Sequence, residues 1–287
     1  MEIEDSVLAA IAGYVDTLSF VALFGLFTAH VTGNFVLIGS EAAGLGQGVF
    51  MKLMAFPAFV AGVVVSSVIV KRVEPATPHR AACVLYVVQA ALMLAFCLAG
   101  VSVSPIVHAD RTPVIVCGMI GAAAMGVQNA HGRLVPRPGV PNTVMTGNVT
   151  QAVLDTIDLL SPQMPSDARA VARTRLGKMV PTILAFATGA IVGALAYRHT
   201  GFWALLLPYV VLLWLALKAR GVLHPAHDTE TPRHVCGQGR AQVRTRWHSL
   251  PFSLPAWRWC RAAARGRARK SRQPPTHQPP HAPRSGR

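Results

Sequence analysis

Gly13-Tyr14-Val15-Asp16, followed by Val31-Thr32-Gly33-Asn34 and then Glu41, returns later in the chain as Gly126-Val127-Gln128-Asn129, Met145-Thr146-Gly147-Asn148 and Asp155. The acid lies seven residues beyond the asparagine in both copies. Further along, Leu53–Val70 matches Met179–Tyr197, each with an early proline (Pro57, Pro181) and a mid-segment glycine (Gly62, Gly189). Chance explains one shared tripeptide, but not an ordered series at a nearly constant offset. The chain therefore reads as two related halves.

Around these motifs the sequence is apolar. Six stretches approach the roughly 20 residues that a helix needs to cross about 30 Å of hydrocarbon: Val7–Thr28, Leu53–Val70, Ala81–Val101, Pro113–Ala130, Met179–Tyr197 and Gly201–Leu217. Thr32–Ala43 and Thr146–Leu160 are too short or too polar to be spans. Lys and Arg in the joints then set the orientation. With six crossings, Lys71, Arg72, Arg80, Arg133, Arg137, Arg169, Arg173, Arg175 and Lys178 share the side of both termini, whereas Lys52, Arg111 and Arg198 lie opposite. Eight crossings would move five of those basic residues outside. The expectation is an all-α polytopic bundle in the inner membrane with both termini cytoplasmic. Three crossings per half is an odd number, so the second half enters from the opposite face, an inverted repeat of the kind many secondary transporters share.

Charge divides the chain in the same way. Only 14% of residues are charged, against about 25% in soluble domains. The net charge of +15 belongs mostly to the end of the chain, because residues 220–287 carry 14 basic residues against Asp228 and Glu230. The domain reading is a transmembrane unit over 1–219, with repeat one near 7–101 and repeat two near 113–217, then a basic, disordered cytoplasmic tail over 220–287. Arg with Trp247, Trp257 and Trp259 suits contact with anionic lipid headgroups and gives no specific nucleic-acid signature. The five cysteines show no paired spacing, so neither a disulfide framework nor a zinc site is expected.

The candidate ligand-binding residues are the matched polar positions: Asp16, Thr32, Gly33 and Asn34 in the first half, and Gln128, Asn129, Thr146, Gly147, Asn148, Gln151 and Asp155 in the second. An ionised Asp16 inside an apolar run costs several kcal/mol unless paired or hydrated, and such residues face a bundle interior or a wet cavity. Thr-Gly-Asn before an amphipathic run starts a helix, with Thr or Asn as cap and Gly allowing close approach. Two readings stay open: interfacial helices at the membrane surface, or re-entrant half-helices aiming positive dipole ends at a central site. His30 and His131 flank the motifs without the further ligands that a metal needs. No catalytic or phosphate-cradling motif is present, so no enzyme, metal or cofactor is expected.

Ala12–Phe20 with His30-Val31-Thr32-Gly33-Asn34, and Gln128-Asn129-Ala130 with Thr143–Gln151, resemble the YoaK-like family of bacterial membrane proteins over about Val7 to Leu217. The resemblance implies a six-helix inner-membrane protein of a family without an established activity, sometimes proposed to contain small-molecule permeases. It offers no catalytic residues to carry over, and the long tail departs from the family's short ending. The functional expectation is a secondary transporter or permease for a small solute, with a non-transporting scaffold, sensor or assembly factor as the alternative. The expected partners are the lipid bilayer and that solute, and homo-oligomerisation is left open.

Overall fold

A computed structural model describes residues 2–44, 46–73, 78–135 and 140–221. From residue 222 onward the expected basic tail lies outside the described residues. Every regular element among the described residues is helical: α1 (Glu2–Ala22), α2 (Val31–Ala42), α3 (Val49–Val73), α4 (Pro78–Val103), α5 (Thr112–Leu134), α6 (Met145–Leu160), α7 (Ser166–Thr200), a 3-10 turn (Gly201–Leu205) and α8 (Leu206–Ala219).

Among the described residues five segments are long and apolar enough to cross a membrane: Ile3–Ala22, Val49–Val73, Arg80–Val103, Thr112–Leu134 and the continuous stretch Ser166–Ala219. The last contains two of the six apolar runs, α7 and α8, with a turn at Gly201 (φ 61°, ψ −143°), backbone that glycine tolerates without strain. The outward faces are apolar too. Val60, Val64 and Val68 on α3, and Leu184, Ile191 and Leu195 on α7, are exposed. A hydrocarbon solvent explains side chains that water would not.

Two helix bounds differ from the hydropathy reading. The first apolar run extends to Thr28, but α1 stops at Ala22 because Phe24 (φ 49°) and Gly25 (φ 81°) take left-handed conformations and turn the chain back. The last long helix starts at Ser166, well before Met179, because a polar segment behind Pro165 continues into the apolar one. Hydropathy detects only its apolar part.

Packing joins the halves crosswise. A Cβ on Gly13 of α1 would overlap the Phe186 carbonyl of α7, and one on Gly126 of α5 would overlap the Phe59 carbonyl of α3. Likewise Gly189 of α7 meets the Ala10 carbonyl of α1, and Gly62 of α3 meets that of Ala123 of α5. These four contacts form two equivalent pairs under the repeat offset. Small residues bring the backbones together, as in membrane helix pairs generally.

The same contacts give helix directions. Ala10 faces Gly189 and Tyr14 faces Gly193, so α1 and α7 run parallel. Met51 lies against Gly118 and Val70 packs with Val127, so α3 and α5 run parallel. Gln89 bonds Gln128 while Phe96 meets Gly121, making α4 and α5 antiparallel. Gln128 reaches the Leu8 carbonyl of α1; Tyr14 bonds the Ala204 carbonyl just before α8 while Ile3 and Trp214 line one cavity, so α1 and α8 are antiparallel. Cys97 bonds the Phe202 carbonyl and Cys83 the Arg220 guanidinium, so α4 and α8 are antiparallel. Helices α1, α4 and α7 thus run one way, and α3, α5 and α8 the other.

Candidate functional site

The chain leaving α1 folds back along it. Both oxygens of Asp16, a buried residue, are engaged there: Oδ1 accepts the Thr28 and Ala29 N–H groups, each at 2.7 Å, and Oδ2 meets His30 Nδ1 at 2.7 Å. The Ser19 and Thr28 hydroxyls bond at 3.1 Å beside it. Asp16 lies six residues before the end of α1, about 9 Å at 1.5 Å per residue. Helix α2 therefore starts beside the interior of α1 rather than at its tip.

Asn34 fixes that return. Its Oδ1 accepts the Phe27 N–H at 2.9 Å and its Nδ2 donates to the Phe27 carbonyl at 2.8 Å. Asn148 does the corresponding work before α6, donating to the Pro141 carbonyl at 2.6 Å. Proline has no N–H, so the second staple has one bond where the first has two. Gly33 lies so close to the Phe27 ring that a Cβ would sit 3.0 Å from it, whereas at Gly147 the nearest atom would be 3.7 Å away, an ordinary contact. Thr32 and Thr146 are exposed.

The acids that follow are ion-paired. Glu41, at the end of α2, bonds Lys52 at the start of α3, and Lys52 Nζ also donates to the Phe24 carbonyl (2.7 Å) and the Gln47 carbonyl (2.8 Å). The Lys52 side chain is fully buried, and these acceptors are what make a buried ammonium tolerable. Asp155, the repeat counterpart of Glu41, is gripped by Arg175 of α7, with Nε–Oδ2 at 2.6 Å, and receives the Gln151 amide at 2.8 Å. The Arg175 guanidinium, seconded by Gln151, holds the Asp155 carboxyl below the usual carboxylate range despite its burial. The sequence reading missed both cations. Their signal was a base just before each proline-bearing apolar helix, five residues ahead of Pro57 and six ahead of Pro181.

Asn129, which replaces Asp16 in the second half, accepts the Thr143 hydroxyl at 2.7 Å and donates to the Met125 carbonyl at 3.2 Å. Its neighbour Gln128 points elsewhere. It donates to the Leu8 carbonyl and accepts from Gln89, both at 2.7 Å, tying α1, α4 and α5 together. His131 stacks on Tyr86 with ring centres 4.5 Å apart. Among the described residues no group of His, Cys, Asp and Glu is arranged to hold a metal.

The structure thus pairs Asp16 with His30 and Asn129 with Thr143, and leaves Gln128 and the two acids elsewhere. His30 is a link between halves: it packs edge-on to Phe186 of α7 at 5.6 Å. Two cavities lie nearby. A polar one of about 230 Å³ is lined by Asn129, Gly132, Arg133, Asn142, Thr143 and Val144 among others. A mostly apolar trench of about 870 Å³ runs between α1, α7 and α8, from Ile3, Lys178 and Trp214 to Val192 and Leu207.

Apolar outward faces, buried polar staples and closely packed glycines define a helical membrane protein. The chain belongs to the family described as "Protein of unknown function (DUF1275)", whose model matches residues 6–218. It is similar to the UPF0700 transmembrane protein YoaK of Bacillus subtilis (strain 168), 25% identical over 217 residues, which cover 75% of this chain and 92% of that one. No solved structure gives a significant match.

Proposed function

We propose that this protein is a six-span carrier or permease for a small polar solute, built from two oppositely oriented halves in the inner membrane, and not an enzyme. The observation that carries the reading is the pair of matched polar loops that precede α2 and α6, where Asp16 pairs with His30 and Asn129 with Thr143. Two short helices that begin from matched polar loops inside a bundle suit the arrangement in which secondary transporters bind solutes.

Helix directions support six crossings rather than eight. If α2 and α6 also crossed, α5 would run parallel to α1, whereas α1 opposes α8, α8 opposes α4 and α4 opposes α5, which leaves α1 and α5 antiparallel. Twelve residues in α2 also reach only about 18 Å. Each helix of the second half then opposes its mate: α5 against α1, α7 against α3, α8 against α4. With six crossings, Lys71, Arg72, Arg80, Arg133, Arg169, Arg173, Arg175 and Lys178 gather on the side of both termini, which is the cytoplasm by the positive-inside rule. On this reading α2 and α6 are re-entrant half-helices, and the Asp16–His30 pair is the ion-sensitive element.

Uptake of candidate solutes into proteoliposomes is the direct test. Loss of ion coupling in Asp16→Asn with transport retained supports that role, and unchanged coupling removes it. A second reading, a non-transporting scaffold, draws on the intramolecular bonds that occupy Asp16, Asn34 and Asn148. Thr32→Cys and Thr146→Cys discriminate the two: labelling from opposite faces of the membrane favours the carrier, and complete protection of both favours the scaffold.

A further inference from the structure

The repeat makes an internal comparison possible at the foot of each short helix. In the first half a carboxylate, Asp16, occupies the space beside α2 and takes the N–H groups of Thr28 and Ala29. Under the repeat offset, the corresponding positions in the second half are Asn129 in place of Asp16, Asn142 and Thr143 in place of Thr28 and Ala29, and Gly132 in place of Ser19. Among the described residues that line the space there is no carboxylate. Where Ser19 and Thr28 close the first site with a hydroxyl pair, Gly132 and Asn142 leave the cavity of about 230 Å³.

That cavity collects donors. Asn142 is 3% exposed, lines the cavity, and its Nδ2 has no hydrogen-bond partner among the described residues. An unsatisfied buried amide is unfavourable, and a ligand that accepts from it recovers that cost. Arg133, exposed and on the cavity wall, adds the cation. Val144 starts α6 without a side-chain cap, so the positive end of a helix of 16 residues faces the same region. Guanidinium, amide and helix terminus suit one kind of guest, a small planar anion.

We propose that the cavity between α5 and the start of α6 binds a small carboxylate, which takes the place that the Asp16 side chain fills in the first half. As the identity of a transported solute this rests on the carrier reading. As a binding site it does not, and the test is of binding alone. Arg133 belongs to the cytoplasmic group of basic residues, so the guest enters from the cytoplasm.

The experiment is calorimetric titration of the full-length protein in detergent with sodium acetate, using acetamide as the uncharged isostere and sodium chloride at matched ionic strength. Saturable heat with acetate is expected, with none from acetamide or chloride. Arg133→Gln is expected to weaken acetate binding about tenfold, the loss of one charge-assisted contact. Asn129→Asp, which restores the first half's carboxylate, is expected to abolish it, with circular dichroism in the same detergent showing that the variant keeps its helical fold. Equal responses to acetate and acetamide, or to acetate and chloride, would overturn the proposal, as would undiminished acetate binding in either variant. If acetate binds but is not taken up by proteoliposomes, the site stands and the carrier reading falls.

Discussion

Gly13 of α1 lies directly against the carbonyl oxygen of Phe186 in α7, and its repeat counterpart Gly126 lies in the same way against the carbonyl of Phe59 in α3. Backbone on one side and backbone on the other leave neither partner a side chain to move. The two contacts are one interaction used twice, and they hold the halves together.

Alanine at Gly13 or Gly126 should therefore destabilise the protein similarly, by about 1–3 kcal/mol or more, because overpacking must shift a helix. Alanine at Gly147, where the nearest atom to a Cβ is 3.7 Å away, or at Gly39, with none within 4 Å, should change little. Thermal melting of the four variants in one detergent checks this, and a ranking that separates Gly13 from Gly126 would contradict the shared geometry.

Lys52→Met should cost about 3–5 kcal/mol, the expected penalty for stranding a buried partner charge. Glu41 becomes that stranded group, because its carboxylate pairs with Lys52 in a nearly closed site. Replacing both at once, Lys52→Met with Glu41→Leu, should recover much of the loss. Denaturant titration of the two single variants and the double variant measures the coupling.

The two staples should differ in worth. Asn34→Ala removes two bonds to Phe27, and Asn148→Ala removes one to Pro141. At about 0.5–1.5 kcal/mol per bond, the first substitution should cost roughly twice the second. Equal losses would show that the proline-bearing loop is held by something other than Asn148.

Asp16→Ala should be worse than Asp16→Asn. Alanine leaves the Thr28 and Ala29 N–H groups without their acceptor, whereas asparagine keeps one oxygen for them and loses mainly the charged contact with His30. Proteolysis within residues 23–30, compared across the two variants, reports whether the return loop has opened.

Much of this fold is visible to hydropathy because lipid asks for long apolar helices and little else. The repeat was visible because its polar positions are few and fixed: Asp16 and Asn129, the two Thr-Gly-Asn tripeptides, and Glu41 and Asp155. What those residues do was less legible. Asn34 and Asn148 read as ligands from their type and position, yet their amides are engaged by backbone seven residues upstream, a contact that needs a return loop no periodicity announces. Gln128 read as a candidate ligand alongside Asn129, but successive helix residues point about 100° apart, and it faces Leu8 and Gln89 instead. Lys52 and Arg175 were counted as joint charges because a topology rule considers their sign and not their reach.

The crosswise glycine contacts have a consequence for how the chain is made. When α1 leaves the ribosome, the strip of small residues that it will press against α7 has no mate, and it stays bare until nearly all of the membrane unit has been translated. The early helices must therefore wait in the bilayer, screened by lipid or by an insertion factor. A gene cut between α4 and α5 would yield two fragments that mature only when expressed together.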